Sequence, residues 1–169
     1  MINRISLPVS DPCKFAHDYW RSKCRGDCLP TRADIIPNEI KRILPYISMI
    51  DVVDHGKDFR VRLIGSEMQR YIGRNCTDEF ISTDMGFKRD IYEPWFRSLV
   101  NQKSVLAGTI NSNSEDTELA FDRELISMPL MNTDQSEVTL ILNVMVRTNH
   151  WSKHMPEFVN VSSETFHKN

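Results

Sequence analysis

The sequence is poor in glycine, with six in 169 residues. Loops that cradle phosphate groups need closely spaced glycines, and no such cluster occurs in the sequence. Two signatures of hydrolases, the Gly-x-Ser-x-Gly turn and the His-Glu-x-x-His pair, are also absent. We therefore expect a protein without catalytic activity.

Charge excess and long apolar runs are also missing. The formal net charge is −2, whereas nucleic-acid-binding domains usually carry a marked basic excess. Apolar runs are of strand length and fall well short of the roughly 20 residues that a membrane-spanning helix needs. The first residues do not follow the pattern of a secretory signal. These absences predict a cytoplasmic protein that contacts neither nucleic acid nor membrane.

The four cysteines are expected to be plain thiols, because this is the usual state of cysteine in the cytoplasm. One tetrahedral zinc set stays open as an alternative, because two ligands lie four residues apart on a predicted helix and two flank Gly26. Its spacing is looser than that of the usual zinc knuckle, so we predict no metal site. The candidate zinc ligands are Cys13, His17, Cys24 and Cys28.

Alternation is the clearest pattern that is present. Phe59, Val61 and Leu63 point to one side of a predicted strand, and Arg60 and Arg62 point to the other. The apolar side is therefore core. The two arginines are expected to be solvated, or to contact a partner or an anionic ligand.

The order of predicted elements is two strands, helices and three strands. Strands are predicted at residues 46–54, 59–66, 104–112, 118–131 and 137–147, with a turn at 55–58. A helical region at residues 66–102 separates the second strand from the third and is interrupted near Gly73 and Gly86. This order predicts an α+β fold.

An aromatic stripe marks a helix near the start of the chain. Asp11-Pro12 is a favourable helix start, and Gly26 is placed to end the helix. Phe15, Tyr19 and Trp20 recur at helical spacing, so this face must be covered. It packs either on its own domain or in a homodimer. A second short helix is predicted at residues 38–44, before Pro45.

The last predicted strand is apolar on both faces. Leu142 lies on one face, together with the valines at alternate positions, whereas Ile141 and Met145 lie on the other. A strand of this kind is covered on both sides. We assign Leu142 to the face under the central helices, and Ile141 and Met145 to a face that meets the N-terminal helix or a second subunit.

Several motifs occur in a characteristic order. Trp20 is followed by Leu-Pro-x-Arg-x-Asp-Ile-x-Pro at residues 29–37, a second Leu-Pro, Phe-Arg-x-Arg-Leu-x-Gly at 59–65 and a Gly-Arg pair. From Trp20 to Val146 the chain resembles a bacterial family of PAS-type proteins, many of which are small and stand alone. The resemblance implies a PAS-like five-stranded antiparallel sheet with helices on one face and an additional N-terminal helix. We expect an N-terminal helical extension at residues 1–28, the PAS-like domain at 29–147 and a polar tail at 148–169.

A sensory role follows from this resemblance. It implies a cytoplasmic signalling module that binds a small, mostly apolar ligand, a protein partner, or both, and the alternative is a ligand-free dimeric adaptor. The expected ligand-pocket residues are Val61, Leu63, Met68, Ile72, Cys76, Tyr92, Phe96, Leu125 and Leu142. The expected dimer or partner residues are Phe15, Tyr19, Trp20, Ile141 and Met145.

One segment raises the possibility of a flavin. Gly-Arg-Asn-Cys at residues 73–76 is identical to the start of the flavin-binding motif of light-oxygen-voltage domains, a PAS subclass in which this cysteine forms a photoadduct. The motif does not continue here, because Asp78 and Glu79 bring negative charge, and Asn143 is a lone polar candidate in the later strands. A flavin sensor through Cys76 is thus a lesser alternative. Haem bound through the central helices is not expected, since no histidine lies between His55 and His150.

Overall fold

A six-stranded antiparallel sheet forms the centre of the protein. The computed structural model describes residues 2–83, 89–110 and 122–148. Along the sheet the strands follow the order β1-β4-β5-β6-β2-β3. The predicted α+β fold is confirmed, with one strand more than expected. The strands are β1 Ile2–Ile5, β2 Ile47–Val53, β3 Asp58–Ile64, β4 Leu106–Ile110, β5 Asp122–Met131 and β6 Val138–Thr148.

The additional strand, β1, pairs with β4 at one edge of the sheet. It has only four residues and two of them are polar, so its sequence carries little strand signal. Gly108 explains why β1 fits: a Cβ there would lie 2.8 Å from the Asn3 carbonyl oxygen and 2.6 Å from Ile2 Cγ2. The close approach of two backbones is possible because glycine has no side chain.

Three α-helices and a 3₁₀ segment cover the sheet: α1 Asp11–Ser22, α2 Ser66–Ile72, α3 Arg89–Gln102 and the 3₁₀ segment Pro37–Tyr46. α2 ends at Gly73, as predicted, with a φ of +83°. The predicted interruption near Gly86 lies outside the described residues. None of the helices in the described ranges is long and apolar enough to span a membrane.

Two helical predictions need correction. The short helix expected at residues 38–44 is a 3₁₀ segment, which has room for Pro45 near its end. α1 ends at Ser22 rather than at Gly26. Gly26, with a φ of +60°, instead forms a tight turn in which Arg25 and Cys28 exchange two backbone hydrogen bonds. The glycine therefore reverses the chain after the helix has already ended.

The sheet separates two apolar cores. The inner core lies between the sheet and the helices α2 and α3, and the outer core lies between the sheet and α1 with the 3₁₀ segment. Residues of β5 and β6 contribute alternately to the two cores. The central strands are therefore covered on both sides, as the apolar sequence of β6 predicted.

The faces of β6 were assigned the wrong way round. Leu142 belongs to the outer core under α1, whereas Ile141 and Met145 belong to the inner core. Alternation correctly grouped the residues that share a face. It carries no information about which helix covers that face, because both faces are equally apolar. Leu142 therefore does not line the inner face, and Ile141 and Met145 are not available to a second subunit.

A β-bulge overturns the prediction for Leu63. The pairing of β2 with β3 shifts between Met49 and Ile50, so that Leu63 pairs with Met49 while Val61 pairs with Ile50. The extra residue is Arg62, and beyond it the alternation is inverted. Ile64 enters the inner core, and Leu63 is 44% exposed.

Candidate functional site

A chain of uncharged polar side chains crosses the inner face of the sheet. Trp95 Nε1 donates a hydrogen bond of 2.9 Å to Ser127 Oγ, which donates one of 2.7 Å to Asn143 Oδ1. Asn143 Nδ2 donates in turn to Ser48 Oγ over 3.1 Å. We refer to these four residues as the inner polar bridge. It connects α3 to three adjacent strands.

The sheet register places the members of this bridge side by side. Asn143 pairs directly with Ser127 on β5 and with Ser48 on β2. All three strand residues are at most 2% exposed. Neutral groups can occupy such a position at modest cost when each has a partner. An Asn side chain offers two N–H donors and an oxygen with two acceptor sites, so Asn143 retains capacity for a further hydrogen bond.

Most of the predicted pocket residues surround this bridge. Val61, Met68, Cys76, Tyr92, Phe96 and Leu125 lie together in the inner core, and Ile72 packs at its margin. The ring centroid of Phe96 on α3 lies 5.5 Å from that of Phe59 on β3. It lies 6.1 Å from that of Tyr92 on the same helix. The sequence therefore identified much of the apolar wall, apart from Leu63 and Leu142.

Sequence reasoning missed three members of the bridge, namely Ser48, Trp95 and Ser127. The available signal was a polar residue within an otherwise apolar strand, and Asn143 was singled out only as a candidate flavin partner. Trp95 stood in the apolar stripe of the central helix. Nothing in the sequence indicated that its indole N–H would donate a hydrogen bond to a serine.

Tyr92 adds a hydroxyl group to the same core. Its hydroxyl group donates to Met145 Sδ over 3.6 Å. Burial raises the pKa of Tyr92, and the nearby Arg123 guanidinium opposes that rise. The phenol therefore remains protonated at neutral pH and can act as a hydrogen-bond donor within the inner core.

The Gly-Arg-Asn-Cys segment forms a closed loop beside this core. Cys76 is buried, and burial, followed by the charge of Glu79, raises the pKa of its thiol. Glu79 is held by Arg74 through a paired ion contact, in which Nη2 lies 2.8 Å from Oε2. Asn75 Oδ1 accepts a hydrogen bond of 3.0 Å from the backbone N–H of Thr77. Arg74 is thus already paired with a carboxylate of its own loop.

The predicted dimer residues of α1 pack within the protein's own chain. Trp20 is buried and donates from Nε1 to the Pro129 carbonyl oxygen over 2.9 Å. The guanidinium of Arg42 lies 3.5 Å from the ring centroid of Phe15. Tyr19 accepts a hydrogen bond from the backbone N–H of Ile36 and donates one to Glu39, each 2.9 Å long. α1 therefore covers its own domain, and dimerisation stays a prediction.

Another anchor of α1 is a buried carboxylate. Glu124 on β5 is 2% exposed and accepts backbone N–H groups of Val9 over 2.6 Å and of Ser10 over 2.8 Å. These residues directly precede α1. Glu124 and the Pro129 carbonyl thus hold both ends of the helix against a single strand.

The candidate zinc ligands lie in separate environments, from the buried Cys13 to the exposed Cys28. Cys13 is buried, and burial raises its pKa to about 12. Cys24 Sγ contacts the Trp20 carbonyl oxygen over 3.7 Å, and His17 contacts Asp18. Within the described part of the chain, no three His, Cys, Asp or Glu side chains are arranged to hold a metal ion.

Comparison with known proteins identifies the family. The family described as PAS domain matches residues 10–146, which include α1 and five strands of the sheet. The chain belongs to this PAS-domain family, whose members are generally sensory modules.

The chain is also similar to a solved structure described as an RNA-binding light-oxygen-voltage receptor, with a TM-score of 0.49 and 14% sequence identity. That match covers 86% of this chain and 38% of the receptor chain, so this chain spans well under half of the receptor's length. No match was found among curated proteins.

Proposed function

We propose that the protein is a non-catalytic sensory PAS module that binds a small, mostly apolar ligand against the inner polar bridge. Apolar side chains form the wall of this site, and Ser127 and Asn143 supply directed hydrogen bonds. Ligand sites are commonly apolar with a few convergent polar groups. The cytoplasm fits this proposal because all four cysteines are free thiols.

One observation carries the proposal: Trp95 on α3 is hydrogen-bonded to the sheet through Ser127 Oγ. A ligand that replaces Trp95 as the partner of Ser127 also releases α3 from β5. The ligand can shift this equilibrium only if it binds one arrangement more tightly than the other. The bridge therefore gives a direct physical route from ligand binding to a movement of α3.

Native mass spectrometry of the freshly purified protein, compared with its denatured mass, tests the proposal. Extra mass that is lost on denaturation identifies a bound small molecule, and the same measurement distinguishes a flavin from a zinc ion. Ser127→Ala should reduce the ligand-bound fraction, whereas Thr139→Ala, which removes an exposed hydroxyl from β6, should not. A ligand retained equally by both variants would contradict binding at the bridge.

A second function is favoured by the tight packing of the inner core. Val61, Met68, Cys76, Tyr92, Phe96 and Leu125 are all at most 5% exposed, which fits a core filled by its own side chains. In this alternative the protein is a ligand-free dimeric adaptor. Sedimentation analysis of wild type and of a Phe15→Glu variant tests it: a bare dimer that dissociates in the variant supports the adaptor, and a bare monomer excludes it.

A further inference from the structure

The outer face of β3 carries a charged cluster that the proposed ligand site does not use. Asp51 on β2 has a side chain only 8% exposed and accepts hydrogen bonds from two arginines. Arg60 contacts Asp51 Oδ2 through Nη2 at 2.7 Å and Nε at 3.1 Å, and Arg62 Nε contacts Oδ1 at 2.6 Å. A buried carboxylate therefore holds both guanidinium groups in place.

The bulge at Arg62 makes this arrangement possible. In a regular strand, Leu63 would lie on the opposite face from its arginine neighbours. With the bulge, Leu63 is opposite Met49, an outer-face residue, and so lies on the same face as the arginines. β-bulges commonly redirect side chains at functional surfaces.

A second exposed apolar side chain lies on the other side of Arg60. The segment at residues 78–81 runs antiparallel along the free edge of β3, and Phe80 is opposite Arg60. Paired residues in antiparallel strands project from the same face of a sheet. Leu63 is 44% exposed and Phe80 is 37% exposed. We call Arg60, Arg62, Leu63 and Phe80 the β3 outer patch.

The two arginines remain available for a further partner. Their side chains are 41% and 53% exposed, and Asp51 contacts only Nε and Nη2 of Arg60 and Nε of Arg62. Among the described residues, both terminal nitrogens of Arg62 lack a hydrogen-bond partner. Two positive charges share one bonded carboxylate, and the exposed Asp78 adds a second negative charge near Arg60, so the exposed guanidinium donors rather than a net positive charge favour an acidic partner. The patch thus combines partly exposed guanidinium groups with apolar side chains on either side.

We propose that the β3 outer patch is a docking site for an acidic segment of a partner protein that also carries an apolar side chain. Guanidinium groups bind carboxylates through directed, paired hydrogen bonds. Asp51 already orients both arginines. Binding of a partner therefore costs less conformational entropy of the arginine side chains. Apolar residues of the partner would contact Leu63 and Phe80. The patch lies on the opposite face of the sheet from the inner polar bridge, so this site does not depend on the proposed ligand.

Fluorescence anisotropy with a short labelled peptide tests the proposal. The probe has single leucines separated by pairs of glutamates, and a matched control peptide has lysines in place of the glutamates. The acidic peptide should bind and the lysine peptide should not, and added salt should weaken binding. Equal binding of the two peptides, or no binding of the acidic one, would overturn the proposal.

Variants locate the binding to the patch. Arg62→Gln leaves Arg60 paired with Asp51 and should weaken binding by about fivefold, and Arg62→Lys should restore part of the loss. Arg21→Gln, which removes an exposed arginine from α1, should have no effect. Leu63→Ser should weaken binding without a change in salt dependence. Thermal melting confirms that each variant is folded, and an unchanged Kd in folded Arg62→Gln would reject the site.

Two further outcomes would replace this partner with another. Tighter binding of a single-stranded oligonucleotide of equal charge would overturn the proposal in favour of nucleic acid. Self-association of the chain that Arg62→Gln abolishes would overturn it in favour of a second copy. Loss of peptide binding in Arg62→Gln with an unchanged native ligand mass separates this site from the inner polar bridge.

Discussion

The two faces of the sheet are both covered by helices, but their buried polar groups differ in kind. On the inner face, Ser48, Ser127 and Asn143 are neutral, and they bond to each other and to Trp95. On the outer face the buried polar groups include two carboxylates, Asp51 and Glu124. Each carboxylate accepts hydrogen bonds from either arginines or backbone N–H groups.

The difference follows from the cost of removing charge from water. Neutral amides and hydroxyls can be buried in the middle of a core when they are hydrogen-bonded, whereas a carboxylate needs several strong donors. Glu124 lies where α1 begins, and Asp51 lies beside a partly exposed strand. The inner polar bridge is therefore neutral, although the Arg123 guanidinium lies beside Tyr92 in the same core, and the outer carboxylates attach the start of α1 and orient two arginines.

The largest expected effect on the free energy of unfolding comes from removing one tryptophan from each face. Trp20→Ala and Trp95→Ala should each lower the free energy of unfolding by about 3–5 kcal/mol, because each removes a large buried ring and a hydrogen bond. Urea denaturation measures both. If Trp20→Ala cost under about 1 kcal/mol, α1 would not be an integral part of the fold. The helices on the two faces would then contribute unequally to the free energy of unfolding.

Glu124→Gln tests the carboxylate that anchors α1. Loss of the charge should cost about 2 kcal/mol, since hydrogen bonds to a charged acceptor contribute more than neutral ones. Hydrogen exchange at Val9 and Ser10 should accelerate. Glu137→Gln, in which the affected carboxylate is paired with an exposed histidine, should change stability by under about 0.5 kcal/mol. Equal effects of the two variants would contradict a special role of Glu124.

Ser127→Ala tests the neutral bridge on the inner face. The change leaves Trp95 Nε1 and Asn143 Oδ1 without this partner and should cost about 1–2 kcal/mol. The tryptophan emission spectrum should also change, because the indole N–H of Trp95 loses its acceptor. Thr139→Ala is the matched control on the exposed surface. An unchanged stability and spectrum would mean that the bridge contributes little to the inner core.

Leu63→Ala tests the bulge. Because Leu63 is 44% exposed, the change should cost about 0.5 kcal/mol, whereas Leu142→Ala, at 0% exposure, should cost about 2–5 kcal/mol. Chemical denaturation of the two variants measures the contrast. A large cost for Leu63→Ala would instead support its predicted place in the pocket.

The smallest effect is expected for the buried thiol of Cys13. Its pKa is raised to about 12 by burial, so it should not react with Ellman's reagent at pH 8, whereas the exposed Cys28 should react. The pKa of the Cys13 thiol is higher in the folded protein than in the unfolded chain, where it is about 8.5. Its contribution to the free energy of unfolding is therefore fully present below that pH and is lost progressively above it. Wild type and Cys13→Ala should therefore show the same pH dependence of stability below about pH 8. Rapid modification of Cys13 would show that α1 opens readily.

Much of the fold could be predicted because its signals are local. Alternation located β3, the turn at residues 55–58 located the hairpin, and Gly73 marked the end of α2. β1 could not be predicted in this way, since it depends on the absence of a side chain at Gly108. The bulge at Arg62 was equally hidden, because it arises from the pairing of β3 with β2.

The candidate site was predictable in its apolar wall and not in its polar bridge. Tyr92 and Phe96 follow from the helical periodicity of α3, and Val61 follows from the alternation of β3. The role of Ser127 and Ser48 in the bridge becomes visible only from their pairing with Asn143 in the sheet. The two arginines of the β3 outer patch were expected to be solvated, or to contact a partner or an anionic ligand, but the carboxylate of Asp51 that orients them was not recognised.

Apart from β1 and the residues beyond the bulge at Arg62, the sequence by itself determined the elements, their order and the sets of residues that share each face, because side-chain periodicity follows from backbone geometry. Only the tertiary structure decided which helix covers which face. That choice depends on contacts such as Trp20 with Pro129 and Trp95 with Ser127, which join residues far apart in the chain. Two equally apolar faces are indistinguishable until such directional hydrogen bonds assign each helix to one of them.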